Sequence, residues 1–217
     1  MARSGRPSRA SGRDTGKSAD TKAALVEAAI ATLKDVGFAG ASARTIAERA
    51  GSNQGLVFYH FGSVANLLLA ALDAVSAARL VGYGAALEGI GTPAQLVDVA
   101  SAIFSEDLDA GYVTVLVEMI AGASSTPGLG PEVALRIGPW AQFAQQAIED
   151  TMGQSPLGGL LPARDVAYGI VALYLGLEML TTLNGDREPA LRLFAHARQL
   201  ATLLTALGGP APKEDTP

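Results

Sequence analysis

From Asp20 onward, apolar side chains return every third or fourth position. Leu25, Ala29, Leu33 and Val36 share one face of a predicted helix that Asp20 caps and Gly37 stops. Ser42 is placed to cap a short helix ending at Gly51, Asn53 to cap another running through His60, and Ser63 to cap a longer one reaching Leu80 or beyond. Thr92-Pro93 pairs a capping hydroxyl with a first-turn proline. It opens a helix whose predicted buried face is Leu96, Ala100, Ile103, Phe104 and Leu108. Further helices are predicted over Tyr112–Ala123, from Pro131 with a kink at Pro139, from Pro162 to about Leu183, and from Pro189 to Leu207, with loops at 124–130 and 153–159. No strand-like alternation of any length interrupts this pattern, and no internal repeat is present. The expectation is an all-α fold of about nine helices.

The pattern is weakest at the two ends. Residues 1–19 are rich in Arg, Ser and Gly and are predicted to be a disordered basic arm, and residues 208–217 a disordered tail. Between them the expected division is a small helical head over 20–66 and a larger helical body over 67–207. The 217 residues are 49% apolar and only 17% charged, enough for a sizeable core. The longest stretch free of Asp, Glu, Lys and Arg, Ala50–Leu72, contains Ser52, Asn53, Gln54 and His60 and is not expected to span a membrane. The basic N-terminus lacks the apolar run of a secretory signal, so a soluble cytoplasmic protein is expected.

Charge changes the picture more than composition does. The net charge of −5 conceals nine Lys/Arg against five Asp/Glu in residues 1–60, and seven against sixteen in the remainder. A basic head on an acidic body suits a protein that meets a polyanion at one end only. Within that head, Ser42–Phe61 reads SARTIAERAGSNQGLVFYHF. Two short helices meet at Gly51, where glycine permits a left-handed turn. Ile46, Ala47 and Val57 are placed to pack together, while Gln54, Tyr59 and His60 project outward as residues of a recognition helix do.

The segment Thr21–Leu72, about a quarter of the chain, resembles the TetR family of bacterial transcriptional regulators. The resemblance rests on Ala28-Ala29, Gly37-Phe38, Arg44-Thr45-Ile46-Ala47, Ala50-Gly51, Gly55, Tyr59-His60-Phe61 and Leu67-Leu68 in fixed register. It implies a three-helix helix-turn-helix head, a ligand-binding body and a homodimer built from the last two long helices, residues 163–207. It also implies that Arg44, Gln54 and Tyr59 face bases or phosphates of an operator duplex and that His60 reaches a phosphate. The chemistry is compatible, since Gln can pair with adenine and Arg with guanine through two hydrogen bonds. Leu56, Phe58 and Val64 depart from the family's usual small hydroxyl residue, Tyr and Lys, and so remove groups that bond phosphate oxygens. Arg3, Arg6, Arg9 and Arg13 of the arm are candidates to restore that contact, and Gly5-Arg6-Pro7 is similar to the centre of a minor-groove AT-hook.

In the body, Phe104, Tyr112, Met119, Trp140, Phe143, Tyr168, Tyr174, Glu178 and Met179 are the candidates to line an effector cavity. Glu118 and Glu178 each interrupt an apolar run. A buried carboxylate is costly unless partnered, so Glu118 is expected to face solvent and Glu178 to lie at the pocket or the dimer seam. The chain has no Cys and two His, and it lacks a G-x-S-x-G elbow, a P-loop or a post-strand G-x-G-x-x-G, so no enzyme, metal or cofactor is expected. The expected function is a ligand-responsive regulator, a repressor released from a palindromic operator by a small, largely apolar effector. The alternative is a helical small-molecule-binding protein with a weakened head.

Overall fold

The computed structural model describes residues 11–152 and 162–207. Among them are nine helices and no strand: α1 (Ser11–Gly40), α2 (Ala43–Arg49), α3 (Gln54–Phe61), α4 (Val64–Ala86), α5 (Pro93–Ala110), α6 (Tyr112–Ala123), α7 (Leu129–Met152), α8 (Ala163–Asn184) and α9 (Glu188–Leu207). The predicted loop at 153–159 and tail at 208–217 lie outside the described residues, as do Arg3, Arg6 and Arg9. The chain divides into two compact units. One comprises residues up to Val75 with Thr114–Val133, and the other Ser76–Val113 with residues from Ala134 onward.

In the first unit, Leu25, Ala28, Ala29 and Leu33 are buried on α1 together with Ile46 and Ala47 of α2, Val57 of α3 and Leu67, Leu68, Ala71 and Leu72 of α4. Each short helix starts on the residue type its cap requires. Ser42 Oγ accepts the Thr45 N–H at 3.1 Å, Asn53 Oδ1 the Gly55 N–H at 2.7 Å, and Ser63 Oγ the Asn66 N–H at 3.1 Å. Gly51 takes the left-handed value φ 59° between α2 and α3. Arg49 reaches back to Asp35 of α1 at 2.6 Å, and the Lys22 ammonium lies 5.6 Å from the centre of the Phe61 ring.

Two expectations for α1 are corrected. The helix begins at Ser11, so residues 11–19 are helical where disorder was predicted. Arg13, Lys17 and Ala19 are good helix formers, and the Thr21 hydroxyl donates to the Lys17 carbonyl at 2.8 Å. Val36 is 52% exposed, while Thr32 is fully buried and its hydroxyl donates to the Ala28 carbonyl at 2.7 Å.

In the second unit α5 packs on α9 and on α8. Its start is a capping box: Thr92 Oγ1 accepts the Gln95 N–H at 3.3 Å, and Gln95 Oε1 accepts the Thr92 N–H at 3.1 Å. It ends at Gly111, φ 65°. Helix α7 starts at Leu129, two residues before the predicted Pro131, and continues through Pro139. By length and composition alone α4 and α8 are long and apolar enough to cross a membrane. Each carries ionisable side chains turned into the second unit, Arg79 on α4 and Glu178 on α8, both buried.

Thr92→Ala removes one half of the capping box and leaves the Gln95 amide without its acceptor. It is expected to destabilise the chain by about 1 kcal/mol, read as a lower urea midpoint with an unchanged slope.

Candidate nucleic-acid interface and a buried polar cluster

The outward side chains of the head follow from which positions its core consumes. Burial of Ile46, Ala47 and Val57 turns Arg44, Gln54 and Tyr59 to the surface. The Arg44 side chain is 81% exposed and bonds Glu48 one turn along at 2.8 Å. A solvated pair of this kind is weak and is readily exchanged for another anion. Gln54 is the first residue of α3, where its side chain leaves the helix N-terminus, and Tyr59 is 78% exposed. His60 is half-buried, with its ring edge-to-face on Tyr59 at 4.9 Å. Phe58 also stands at the surface, 52% exposed. Arg13 lies on α1 and not in an extended arm.

The second unit holds a cluster of ionisable groups. The Arg79 guanidinium lies over the Tyr83 and Tyr112 rings, 4.8 and 4.6 Å from their centres, and ion-pairs with Asp107. Asp107 is 1% exposed, and its Oδ2 receives the Tyr174 hydroxyl at 2.8 Å and the Tyr83 hydroxyl as well. Glu178, also 1% exposed, stands one turn beyond Tyr174 on α8. Burial, and next the charge of Asp107, push its carboxyl up to about 8, against the hydrogen bond from Tyr174 and the charge of Arg79. Glu178 therefore keeps its proton at neutral pH. Burial pushes Asp107 up too, resisted by the two tyrosine hydroxyls and Arg79. Both tyrosine hydroxyls are pushed up, chiefly by burial, and remain donors.

The predicted cavity residues do not form one group. Phe104 is fully buried, edge-to-face with Tyr174 at 5.6 Å and tilted on Phe194 at 5.3 Å. Trp140 donates its indole N–H to Ser76 at 3.3 Å and meets the Tyr83 ring at 5.5 Å. Met119 is fully buried and belongs to the first unit, the others to the second. Tyr168 and Met179 stand on the surface of α8, 73% and 43% exposed, because the helix turns Tyr174 and Glu178 inward and these two away. A groove of about 290 Å³ in the second unit has Leu87, Ile90, Leu96 and Phe143 among its lining with the exposed Glu88 and Asp150, and shares only Phe143 with the predicted set. Glu118, expected to face solvent, is half-buried and accepts a backbone hydrogen bond from Phe38.

Arg79, Tyr83 and Asp107 were missed in the sequence. The signal for Asp107 was its place one turn after Phe104, on the face already assigned to the core of α5. Among the described residues, no group of three or more His, Cys, Asp or Glu side chains is placed to hold a metal.

Residues 25–71 match the family model of bacterial regulatory proteins of the tetR family. No curated protein matches the chain in sequence. Among solved structures, an inferred transcriptional regulator from Pseudomonas aeruginosa PAO1 is similar at 25% identity and TM-score 0.65, over 85% of this chain and 88% of that one. A TetR family member from Streptomyces coelicolor A3 is 25% identical with TM-score 0.61, over 85% and 97%. The regulator FadR from Bacillus subtilis, solved with stearoyl-CoA, is 13% identical with TM-score 0.66, over 82% and 96%, a likeness of fold.

The raised Glu178 carboxyl has a signed consequence. Between about 4.5, its ordinary value, and about 8, the folded chain holds a proton that the unfolded chain has released. Stability contributed by this group is therefore full below that window, falls as pH rises through it by up to about 1.4 kcal/mol per pH unit, and levels off above it. Asp107 acts in the same direction. Glu178→Gln is expected to flatten the decline of the melting temperature between pH 5.5 and 8 and to match or exceed the parent at pH 8. Parallel curves for the two proteins, followed by circular dichroism, would remove the assignment.

Proposed function

Because this chain belongs to the TetR family of bacterial regulators, we propose that it is a cytoplasmic repressor that binds a palindromic operator as a homodimer and is released by a small, largely apolar effector. The observation that carries the reading is the helix-turn-helix itself. A head matched to the family over 25–71 presents Arg44, Gln54 and Tyr59 outward from a core that needs none of them. Gln54 and Arg44 supply base-edge chemistry, while Tyr59 and His60 supply stacking and phosphate bonding.

The homodimer accounts for a surface that a lone chain leaves wet. On α8 and α9, Ile170, Leu173, Leu180, Leu183, Leu200 and Leu203 are all more than 40% exposed. Apolar exposure on this scale marks an association face, and two helices joined at Gly185 suit a four-helix interface between two copies. A two-fold pair then offers two recognition helices to successive major grooves, about 34–36 Å apart. Release requires only that the effector bind one spacing of the heads more tightly than the other. Support for an apolar effector comes from the aromatic groups gathered in the second unit and from the stearoyl-CoA held by the FadR of the same fold.

Selection from a randomised duplex pool at one fixed salt concentration is expected to enrich a palindrome with half-sites about one helical turn apart. Arg44→Ala and Tyr59→Ala are expected to lose that enrichment while remaining folded dimers. A folded dimer that enriches nothing favours a helical ligand-binding protein with a weakened head, the reading to which Leu56, exposed Phe58 and Val64 lend weight.

The three arginines of residues 1–10 carry a separate proposal, that they supply phosphate or minor-groove contacts missing from α3. Deleting residues 1–10 is expected to flatten the slope of log affinity against log salt by about 2 to 3, since each neutralised phosphate contributes about 0.9. An unchanged slope in fluorescence anisotropy titrations disposes of the arm as a contact.

A further inference from the structure

Near its C-terminal end α1 is broken by a corner at Gly37, built in a way ordinary helix termination does not require. Gly37 adopts φ 70° and ψ −176°, a region open essentially to glycine alone and one that persists only where its surroundings enforce it. A helix usually ends by folding its final N–H groups back onto its own last carbonyls. The extended ψ at Gly37 instead turns the Phe38 N–H outward, where Glu118 Oε2 of α6 accepts it at 2.8 Å. A Cβ on Gly37 would lie 2.6 Å from that same oxygen. One turn further along α6, Gly122 is buried beneath the Phe38 ring, and a Cβ there would lie 2.4 Å from two ring carbons. Glu118 and Gly122 thus hold the two halves of one dipeptide, its N–H and its ring, from positions four residues apart. All four residues belong to the first compact unit.

The dipeptide stands at a consequential place. Four residues after Phe38 comes Ser42, the cap of α2, whose buried Ile46 and Ala47 lie in the same core as Val57 of α3. That core, with Leu25, Leu33, Leu67 and Leu68, includes neither Glu118 nor Gly122. Removing the joint therefore leaves the three-helix core intact while freeing it to reorient on α6. We infer that Glu118 and Gly122 are positioning residues for the DNA-reading helices, fixing the orientation of α2 and α3 through the Gly37-Phe38 corner. The inference rests on the proposed DNA-binding reading for its consequence, and on the corner geometry for its substance.

The full chain contains no cysteine, so Gln54→Cys and Ala121→Cys, both at exposed positions, give a spin-label pair reporting α3 against α6, while duplex affinity is read in the cysteine-free chain because Gln54 is itself a proposed base contact. In the parent the distance distribution is expected to be narrow. Glu118→Ala is expected to broaden it about twofold, to raise Phe38 amide hydrogen exchange about tenfold, and to weaken the selected duplex about tenfold through loss of a carboxylate-accepted hydrogen bond. Glu118→Gln keeps an acceptor oxygen and is expected to restore most of all three. Gly122→Ala, which displaces the Phe38 ring but leaves Glu118 in place, provides a second variant should Glu118→Ala fail to fold, with the same broadening expected. The inference is overturned if the label distances stay narrow in both variants, if Gln and Ala at 118 behave alike, or if duplex affinity is untouched where the distances broaden. Should no duplex be enriched at all, the regulator reading fails, and label distances and Phe38 exchange still decide the joint.

Discussion

Helices of seven and eight residues do not persist by themselves in water, because nucleation costs more than two turns of hydrogen bonds return. α2 and α3 are of that length, so everything the head presents depends on packing and caps. Ile46, Ala47 and Val57, each no more than 2% exposed, supply the packing. Ser42, Asn53 and the left-handed Gly51 set where each helix starts and at what angle the chain enters it. The outward residues inherit their positions from that arrangement. Arg44, Gln54 and Tyr59 face out because the other sides of their helices are committed to the core.

This dependence explains why the head was legible in the sequence. Capping residues, a turn glycine and three small or branched core residues are local signals, each tied to one backbone conformation, and the helix boundaries followed them closely. α1 broke the rule at its start, where Ser11–Ala19 lacks a large apolar stripe and contains Gly12 and Gly16 yet is helical. Glu118 was misread for a different reason. Its partner is a backbone N–H eighty residues away, and no local pattern announces such a pairing.

The body was legible in outline and not in its interior. Periodicity placed α5, α8 and α9, and the buried cost of a carboxylate drew attention to Glu178. Sequence spacing could not say that its companions would be Asp107, Arg79 and the Tyr83 hydroxyl from other helices, together with Tyr174 one turn back on its own. Nor could it separate Tyr174, turned inward, from Tyr168, six residues earlier and open to solvent. Aromatic side chains bury well and also serve association faces, so type alone does not decide between those roles; only the helix's rotation about its axis does.

The order of the helices along the chain has a consequence for biogenesis. The most exposed apolar surface, on α8 and α9, is made after the head has left the ribosome. At about 5–20 residues per second, several seconds separate the two. A head stabilised by its own core can be complete before any adhesive surface exists. For the proposed homodimer, the period in which unpaired leucines are open to unrelated chains is then set by how soon a second copy arrives. Translation of many copies from one message keeps such copies close together, and a scarce transcript lengthens the wait.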